Sequence, residues 1–259
     1  MIFETHAHYE DGRFDEDRDE ILGGLGTNGI EVVVNVGSTF ETSKTSIALA
    51  EKYPHVYAAI GIHPSEIDCL NESVYEWIRA NASHPQVVSI GEIGLDYYWE
   101  KEQAQRNKQK EAFIRQMEIA REVKLPIIVH SRDAASDTLD IMKRCNAYEI
   151  GGVIHCYGYS VEMAREFVKM GYYIGIGGVV TFKNARVLKE VAAEIPLEHL
   201  VVETDCPYMA PEPHRGKRNS SLYLPYVVEQ IAELKGVSAE EVMKVTRENG
   251  YKLFQKICR

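Results

Sequence analysis

The sequence predicts an α/β fold, specifically a (β/α)8 barrel of the TIM type. Eight short apolar or β-branched runs alternate with longer segments of helical character along the 259 residues, and such alternation is typical of βα units with a parallel sheet. The apolar runs lack strict apolar–polar alternation, as a sheet buried on both faces requires. Eight units in about 250 residues fit a closed barrel. An open doubly wound sheet is the alternative.

The first predicted strand is the amino-terminal run IFETHAH, and seven more strands follow it. The predicted strands cover residues 2–8, 31–36, 56–62, 87–92, 126–130, 152–155, 172–176 and 199–203. Helices are predicted at residues 15–26, 42–52, 72–81, 107–123, 134–145, 161–170, 183–194 and 223–235. The segment 107–123 carries apolar residues at three- and four-residue spacing, which indicates an amphipathic helix. Ser238, followed three residues later by Glu241, has the capping-box pattern and predicts a last helix.

The chain shows no linker and no low-complexity tract, so we expect residues 1–259 to form a single domain. No apolar run approaches the roughly 20 residues needed to span a bilayer. Residues 1–20 are acidic, whereas a signal peptide is basic and then apolar. We therefore expect a soluble, cytoplasmic protein that does not associate with membranes, and the sequence indicates no obligate protein partner.

The net charge argues against a protein that coats duplex nucleic acid, and the cysteines argue against disulfides and a thiolate metal site. Lys and Arg number 29 against 39 Asp and Glu, which gives a formal net charge of −10. This balance is not that of a protein that coats duplex nucleic acid with a broad basic face, although a local basic patch can still bind a phosphate. The five cysteines are scattered, with no CxxC pair, so neither disulfides nor a thiolate zinc site is indicated.

The histidines are concentrated at one end of the predicted barrel. Six of the nine lie at or after strand exits, and the carboxyl face is where barrel enzymes build their sites. His6 and His8 are two residues apart on a strand, so their rings point to the same side. Two carboxylates, Glu92 and Asp205, also lie at strand exits. The candidate metal ligands are His6, His8, Glu92, His130, His155 and Asp205.

Six ligands are too many for one catalytic zinc ion that must keep a position open, and a carboxylate can bridge two ions. We predict that Glu92 is the bridge, with His6 and His8 on one side and His130 and His155 on the other. Asp205 is assigned to the first ion. Imidazole and carboxylate ligands suit Mg, Mn, Fe or Zn, and such a pair of ions can activate water for hydrolysis.

Seven motifs together resemble one known family. They are HAH at 6–8, GIHP at 61–64, GEIGLDY at 91–97, PIIVHSRDA at 126–134, HCY at 155–157, ETDCPYMAP at 203–211 and RGKRN at 215–219. In this order they are similar to the TatD family of metal-dependent deoxyribonucleases. The resemblance implies a two-metal site on the six candidate ligands, DNA as the substrate, exonuclease activity and support by magnesium. The chain departs from the family pattern at Glu4, where Asp is more common, and at Ser220, where Glu is common.

Four further residues are predicted to bind the substrate. His63 and Arg132 follow strand exits and can donate to a phosphate, although a turn histidine and a structural ion pair are the alternatives. Arg215 and Arg218 lie in the segment HRGKRN after the eighth strand, in a region where barrel enzymes often bind phosphate. Here they are predicted to hold phosphates next to the scissile one at the end of a single strand of DNA.

The predicted catalytic residues are Glu92, which bridges the two ions, and Asp205. We expect Asp205 to act as general base, because a carboxylate at the metal can accept a proton from the attacking water. Two other functions stay open at this point. One is an amidohydrolase-like enzyme that hydrolyses another ester, amide or lactone, and the other is a metal-binding scaffold without turnover.

Overall fold

The computed structural model describes residues 1–258 and shows eight parallel strands paired in sequence order. The strands are β1 (Ile2–Ala7), β2 (Ile30–Val36), β3 (Val56–Ile60), β4 (Val87–Asp96), β5 (Ile127–Arg132), β6 (Gly152–Ile154), β7 (Tyr172–Ile176) and β8 (Leu200–Val202). The α-helices are α1 (Arg18–Gly24), α2 (Phe40–Lys52), α3 (Glu72–Asn81), α4 (Gln103–Val123), α5 (Ala135–Arg144), α6 (Val161–Lys169), α7 (Arg186–Glu194), α8 (Leu224–Lys235) and α9 (Ala239–Leu253). The predicted (β/α)8 barrel is confirmed.

The sheet curls until the last strand meets the first. A parallel bridge joins Ala7 to Cys206, four residues beyond β8. On either side of it, the Asp205 amide donates to the His6 carbonyl at 2.9 Å, and the His8 amide donates to the Cys206 carbonyl at 2.8 Å. The seam therefore forms at the carboxyl ends of β1 and β8, where three predicted metal ligands lie.

Both faces of the sheet are buried, as the lack of strict alternation predicted. Alternate residues of a strand enter different apolar clusters: Val32 and Val34 lie in one cluster, and Val33 lies in the other. This is expected because successive side chains of a strand point to opposite faces. The larger cluster fills the space between the sheet and the helices, and the smaller one fills the barrel together with α9.

Several observed elements differ in length from the predicted ones, among them helix α1 and strand β4. Helix α1 covers Arg18–Gly24 rather than residues 15–26, and 3-10 turns flank it at residues 12–14 and 26–28. Gly23, Gly24 and Gly26 explain the short helix, because glycine is a poor helix former. Within residues 1–258, no helix is both long enough and apolar enough to cross a membrane.

Strand β4 continues to Asp96, so Glu92 lies in the middle of the strand rather than at its end. The pairing of β4 with β5 shifts register between Ile90 and Ile93, and such an irregularity changes the direction of a side chain. Beyond this shift, Gly94 permits β4 to approach β5 closely, because a Cβ atom on Gly94 would lie 1.9 Å from the His130 carbonyl oxygen. Glu92 thereby reaches the same pocket as the strand-exit residues.

Helix α9 packs over Phe3, near the amino end of β1. The Phe3 ring lies edge-on to Tyr251 at 5.2 Å and stacks with Phe254 at 5.9 Å between centroids. Gly250 makes this approach possible, because a Cβ atom on it would lie 2.6 Å from the ring of Phe3. The glycine thus allows α9 to pack closely against the amino end of the barrel.

We expect Gly250→Ala to destabilise the protein by up to about 2 kcal/mol. Overpacking against buried Phe3 costs about 1–3 kcal/mol, which exceeds the gain of about 1 kcal/mol in helix propensity. Gly23→Ala in α1 is the matched control, since its Cβ would have no atom within 4 Å, and it should stabilise slightly. Urea unfolding of both variants measures the difference, and a Gly250→Ala protein as stable as the control would contradict the packing described.

Candidate metal centre

The six predicted ligands lie together at the carboxyl end of the barrel. His6 is on β1, Glu92 on β4 and His130 on β5. His8 and His155 directly follow the ends of β1 and β6, and Asp205 lies three residues beyond β8. All except fully buried His6 line a pocket of about 640 Å³. The residues come from five strands, and closure of the sheet brings them to one place.

Glu92 lies between two groups of side chains, and each group faces a different carboxylate oxygen. Oε2 lies 3.6 Å from His6 Nε2 and 3.9 Å from His8 Nε2. Oε1 lies 2.7 Å from His130 Nδ1 and 2.7 Å from His155 Nε2. One carboxylate with an oxygen directed at each group is the arrangement that a ligand bridging two cations requires.

The first group consists of His6, His8 and Asp205. The Nε2 atoms of the two histidines lie 3.0 Å apart, and Asp205 Oδ1 lies 3.6 Å from His6 Nε2 and 3.3 Å from His8 Nε2. Two imidazole nitrogens on one tetrahedral ion at about 2.0–2.1 Å are roughly 3.3 Å apart. The spacing of these donors therefore suits a shared divalent cation.

The second group contains His130, His155 and also His63. His130 Nδ1 lies 3.2 Å from His155 Nε2, and His63 Nε2 lies 3.7 Å from Glu92 Oε1. His63, Glu92 and His130 each offer a donor atom within 4.8 Å of the others. His63 was predicted from the sequence to donate to a phosphate, but the structure places it among candidate ligands. Its position at a predicted strand exit, like that of His130 and His155, was the signal for this role.

Hydrogen bonds behind the ring nitrogens fix the orientation of two ligands. His8 Nδ1 is 2.8 Å from the Val36 carbonyl oxygen, and His130 Nε2 is 3.0 Å from Asp96 Oδ2. An acceptor behind one ring nitrogen holds the proton there and leaves the other nitrogen free to bind a metal. Asp96 was not predicted as a site residue, and its place in the motif GEIGLDY gave the only signal.

A buried carboxylate, that of Glu203, lies behind the other two histidines. Glu203 Oε2, His6 Nδ1 and His155 Nδ1 are buried and have no hydrogen-bond partner within the protein, while one donor atom of each residue lies within 4.8 Å of the others. Gly175 leaves room for this carboxylate, since a Cβ atom there would lie 2.4 Å from Oε2. Glu203 is thus placed to accept from both rings, directly or through water.

The charge states of the buried groups suit a cation site. Burial favours the neutral acid, but the charges of His155 and His63 hold the pKa of Glu92 well below its ordinary value. Burial lowers the pKa of His6 well below its ordinary value, so this imidazole is neutral and able to bind a metal. Burial opposes the charge on His130, yet hydrogen bonds to Asp96 and Glu92 raise its pKa to about 9. In the protein by itself, protons on the imidazoles therefore compensate for the negative charge of Glu92. Divalent cations can take the place of these protons.

The predicted phosphate-binding arginines separate in the structure. Arg132 lines the pocket, and its guanidinium lies over the Tyr98 ring at 3.9 Å. Arg215 and Arg218 lie outside that lining. Arg218 pairs with Asp17, with Nη1 to Oδ1 at 2.9 Å, and Arg215 packs over Phe182 at 4.2 Å. In the structure these two arginines contact the acidic amino-terminal segment and an aromatic ring outside the pocket wall, and their binding of flanking phosphates stays a prediction.

Comparison with known proteins agrees with this geometry. The model of a family described as TatD related DNase matches residues 3–255. YabD of Bacillus subtilis, an uncharacterized metal-dependent hydrolase, is 45% identical over 255 residues, which are 98% of this chain and 99% of that protein. TatD of Salmonella typhimurium, a 3'-5' ssDNA/RNA exonuclease, is 31% identical over 261 residues, 99% of this chain and 100% of that protein.

A solved structure shows the same fold. YJJV, a TatD homologue from Escherichia coli K12, superimposes with a TM-score of 0.91 at 30% identity, and the match covers 98% of both chains. The motifs, the barrel and the match over nearly the whole sequence lead to one assignment. The chain belongs to the TatD-related DNase family, whose curated relatives include proteins described as metal-dependent hydrolases.

Proposed function

We propose that this protein is a metal-dependent phosphodiesterase that degrades DNA from single-stranded ends, as an exonuclease-type deoxyribonuclease. The observation that carries the proposal is the Glu92 carboxylate, with one oxygen directed at each of two donor groups. The name of the Salmonella relative, a single-strand exonuclease, supports the substrate. Two divalent ions are proposed, held by His6, His8, Glu92, His130, His155 and Asp205, with His63 beside the second group.

The donor set allows Mg, Mn or Zn, and magnesium is proposed to support activity. When bound, such ions lower the pKa of water and offset negative charge on a phosphoryl group. The rest of the chemistry belongs to side chains of the chain itself. Glu92 and the imidazoles fix the positions of the ions, and the pocket above them is large enough to admit a nucleotide.

Asp205 is proposed as the general base that accepts a proton from the attacking water. Its Oδ1 faces His6 and His8, and its side chain is 16% exposed toward the pocket. Its backbone has φ of +56°, a left-handed conformation that is uncommon for residues other than glycine and that is often found at functional sites. Arg132 on the pocket wall is proposed to stabilise charge on the phosphoryl oxygens.

The experiment that tests the function is digestion of end-labelled single- and double-stranded DNA with Mg, Mn or Zn, and with EDTA as the control. We expect metal-dependent release of nucleotides from single-stranded ends. A parallel panel of carboxylic ester, amide and lactone substrates should show no comparable turnover. Hydrolysis confined to that panel would contradict the proposed function and indicate an amidohydrolase-like enzyme. Metal binding without turnover of any substrate would indicate a scaffold.

Glu92→Gln should reduce the metal content and remove most of the hydrolysis. A neutral amide bridges two cations poorly, and a loss beyond the 10–100-fold typical of mutating residues around a ligand is expected. Metal analysis and rates on single-stranded DNA measure both effects. Glu66→Gln is the control, because Glu66 is an exposed carboxylate on the wall of the same pocket and belongs to neither donor group. A Glu92→Gln protein with two bound ions and normal rates would refute the bridge.

Asp205→Asn should leave the fold intact and slow hydrolysis on the order of 10²- to 10⁴-fold, the usual contribution of general acid–base catalysis. The amide retains the size of the side chain but cannot take the proton. Circular dichroism checks the fold, and metal analysis should show that the second ion is largely retained. Rates equal to those of the unmodified protein would mean that another group is the base.

Glu203→Gln should weaken metal binding about 10–100-fold, the range found for residues that orient metal ligands. A neutral amide is a weaker acceptor than the carboxylate that lies beside the rings of His6 and His155. Calorimetric titration with Mn²⁺ measures the affinity. A purely structural role predicts instead a lower Tm with unchanged affinity, and that result would remove Glu203 from the metal site.

A further inference from the structure

The turn after β4 exposes two aromatic rings at the edge of the pocket. Trp99 is 69% exposed and Tyr98 is 43% exposed, whereas Tyr97 is buried and its hydroxyl donates to Asp137 at 2.7 Å. Tryptophan is seldom so exposed in folded proteins, since burial of its ring is favourable. Tyr97 therefore packs locally, while the other two rings face solvent beside the metal centre.

A buried carboxylate fixes this turn relative to the metal centre. Asp96 Oδ1 accepts hydrogen bonds from the backbone amides of Tyr98 at 2.9 Å and Trp99 at 3.0 Å. Its other oxygen, Oδ2, lies 3.0 Å from His130 Nε2. Asp96 is only 1% exposed. The same side chain thus orients a candidate ligand and anchors the turn that presents the rings.

Positive charge lies beside these rings. The Arg132 guanidinium lies 3.9 Å from the Tyr98 ring centroid and 5.7 Å from that of Trp99, and Lys101 Nζ is 5.7 Å from the Tyr98 centroid. Both Trp99 and Arg132 line the pocket. In a protein of net charge −10, two cations at an aromatic surface mark a local site for an anion that carries a flat ring.

A second aromatic ring and cation lie across the pocket. Tyr208 follows β8 and is 47% exposed, and the Arg13 guanidinium lies 4.1 Å from its ring centroid. In a closed eight-stranded barrel, β4 and β8 are half a turn apart. Tyr208 and Trp99 both line the pocket, so a chain passing over the metal centre meets an aromatic ring on each side.

We propose that Trp99 and Tyr98, with Arg132, form a stacking site for an unpaired nucleobase of the strand whose phosphate lies at the metal centre. This inference rests on the proposed function and specifies its substrate. Every base offers a π face, so the site is tolerant of sequence. A base inside a duplex has both faces covered by its neighbours, and hence the site selects single strands or frayed ends. The chemistry is shared by DNA and RNA.

Intrinsic fluorescence offers a test that does not depend on turnover. The chain has two tryptophans, and the other one, Trp77 on α3, packs against Phe40 at the start of α2. The Trp77→Phe variant therefore reports on Trp99 alone. It is titrated, with Mg²⁺ present, with a single-stranded DNA hexamer whose linkages are phosphorothioates, and separately with the same backbone lacking all bases. We expect the base-containing hexamer to quench Trp99 and the abasic one not to do so.

Further probes distinguish the sources of the base. An RNA hexamer with phosphorothioate linkages should quench as well if stacking is the main contact, whereas quenching by DNA alone would mean that sugar contacts add to it. A blunt DNA hairpin should quench much less than the single strand. Equal quenching by base-containing and abasic hexamers, or none by either, would overturn the stacking site.

A pair of variants tests the energetic contribution. Anisotropy of labelled hexamers gives Kd with and without bases, and we expect bases to tighten binding on the order of 10-fold through stacking. Trp99→Ala should remove most of that difference. Tyr148→Ala should preserve it, because Tyr148 is 59% exposed but lies outside the pocket, between α5 and β6. An unchanged difference in Trp99→Ala would contradict the inference.

The two proposals can fail separately. If no phosphodiester is hydrolysed but Trp99 is quenched only by hexamers that carry bases, the stacking site is supported and the nuclease function is contradicted. If DNA is hydrolysed but Trp99→Ala leaves the preference for bases unchanged, the function stands and the stacking site falls.

Discussion

Closure of the barrel is the constraint on which the metal centre depends. The two hydrogen bonds beside the bridge between Ala7 and Cys206 use the backbone of His6, His8 and Asp205. The residues that close the sheet are therefore the residues that carry the first donor group. These residues are about 200 positions apart in the sequence, and only a closed sheet of the right size brings them together. The first donor group is therefore complete only in the closed barrel.

Within that closed barrel, Glu92 connects the two halves of the site. A buried carboxylate is unfavourable unless positive charge or hydrogen bonds compensate for its lost hydration. Here the compensation comes from imidazoles on both sides of one side chain. The carboxylates of Asp96 and Glu203 lie one layer further out. The outer carboxylates restrict the orientation of the imidazoles, and the imidazoles restrict that of Glu92. Such contacts orient metal ligands before a metal binds.

The surface around the candidate centre is consistent with the proposed function, in which an acidic protein binds an anionic polymer. The arginines after β8 contact other side chains: Arg218 pairs with Asp17, and Arg215 packs over Phe182. They therefore add little positive charge to the pocket wall. Arg132 is positioned at the pocket instead, beside exposed rings held by Asp96. In the proposed function, recognition is thereby confined to a few nucleotides near the candidate metal centre. A broad electrostatic attraction, which the net charge of −10 would oppose, is not needed.

The sequence alone determined the fold class and the candidate ligands other than His63, because both depend on local patterns. Apolar runs define strands, and strands of a parallel barrel have their functional ends on one face, so residues such as His130 and His155 were placed correctly without coordinates. Tertiary structure decided what depends on contacts between distant segments. The register shift in β4 accompanies the entry of Glu92 into the site from mid-strand, and Arg218 pairs with Asp17 outside the pocket lining. His63 joins the second donor group only because β3 lies beside β4, a distance that no spacing along the chain encodes.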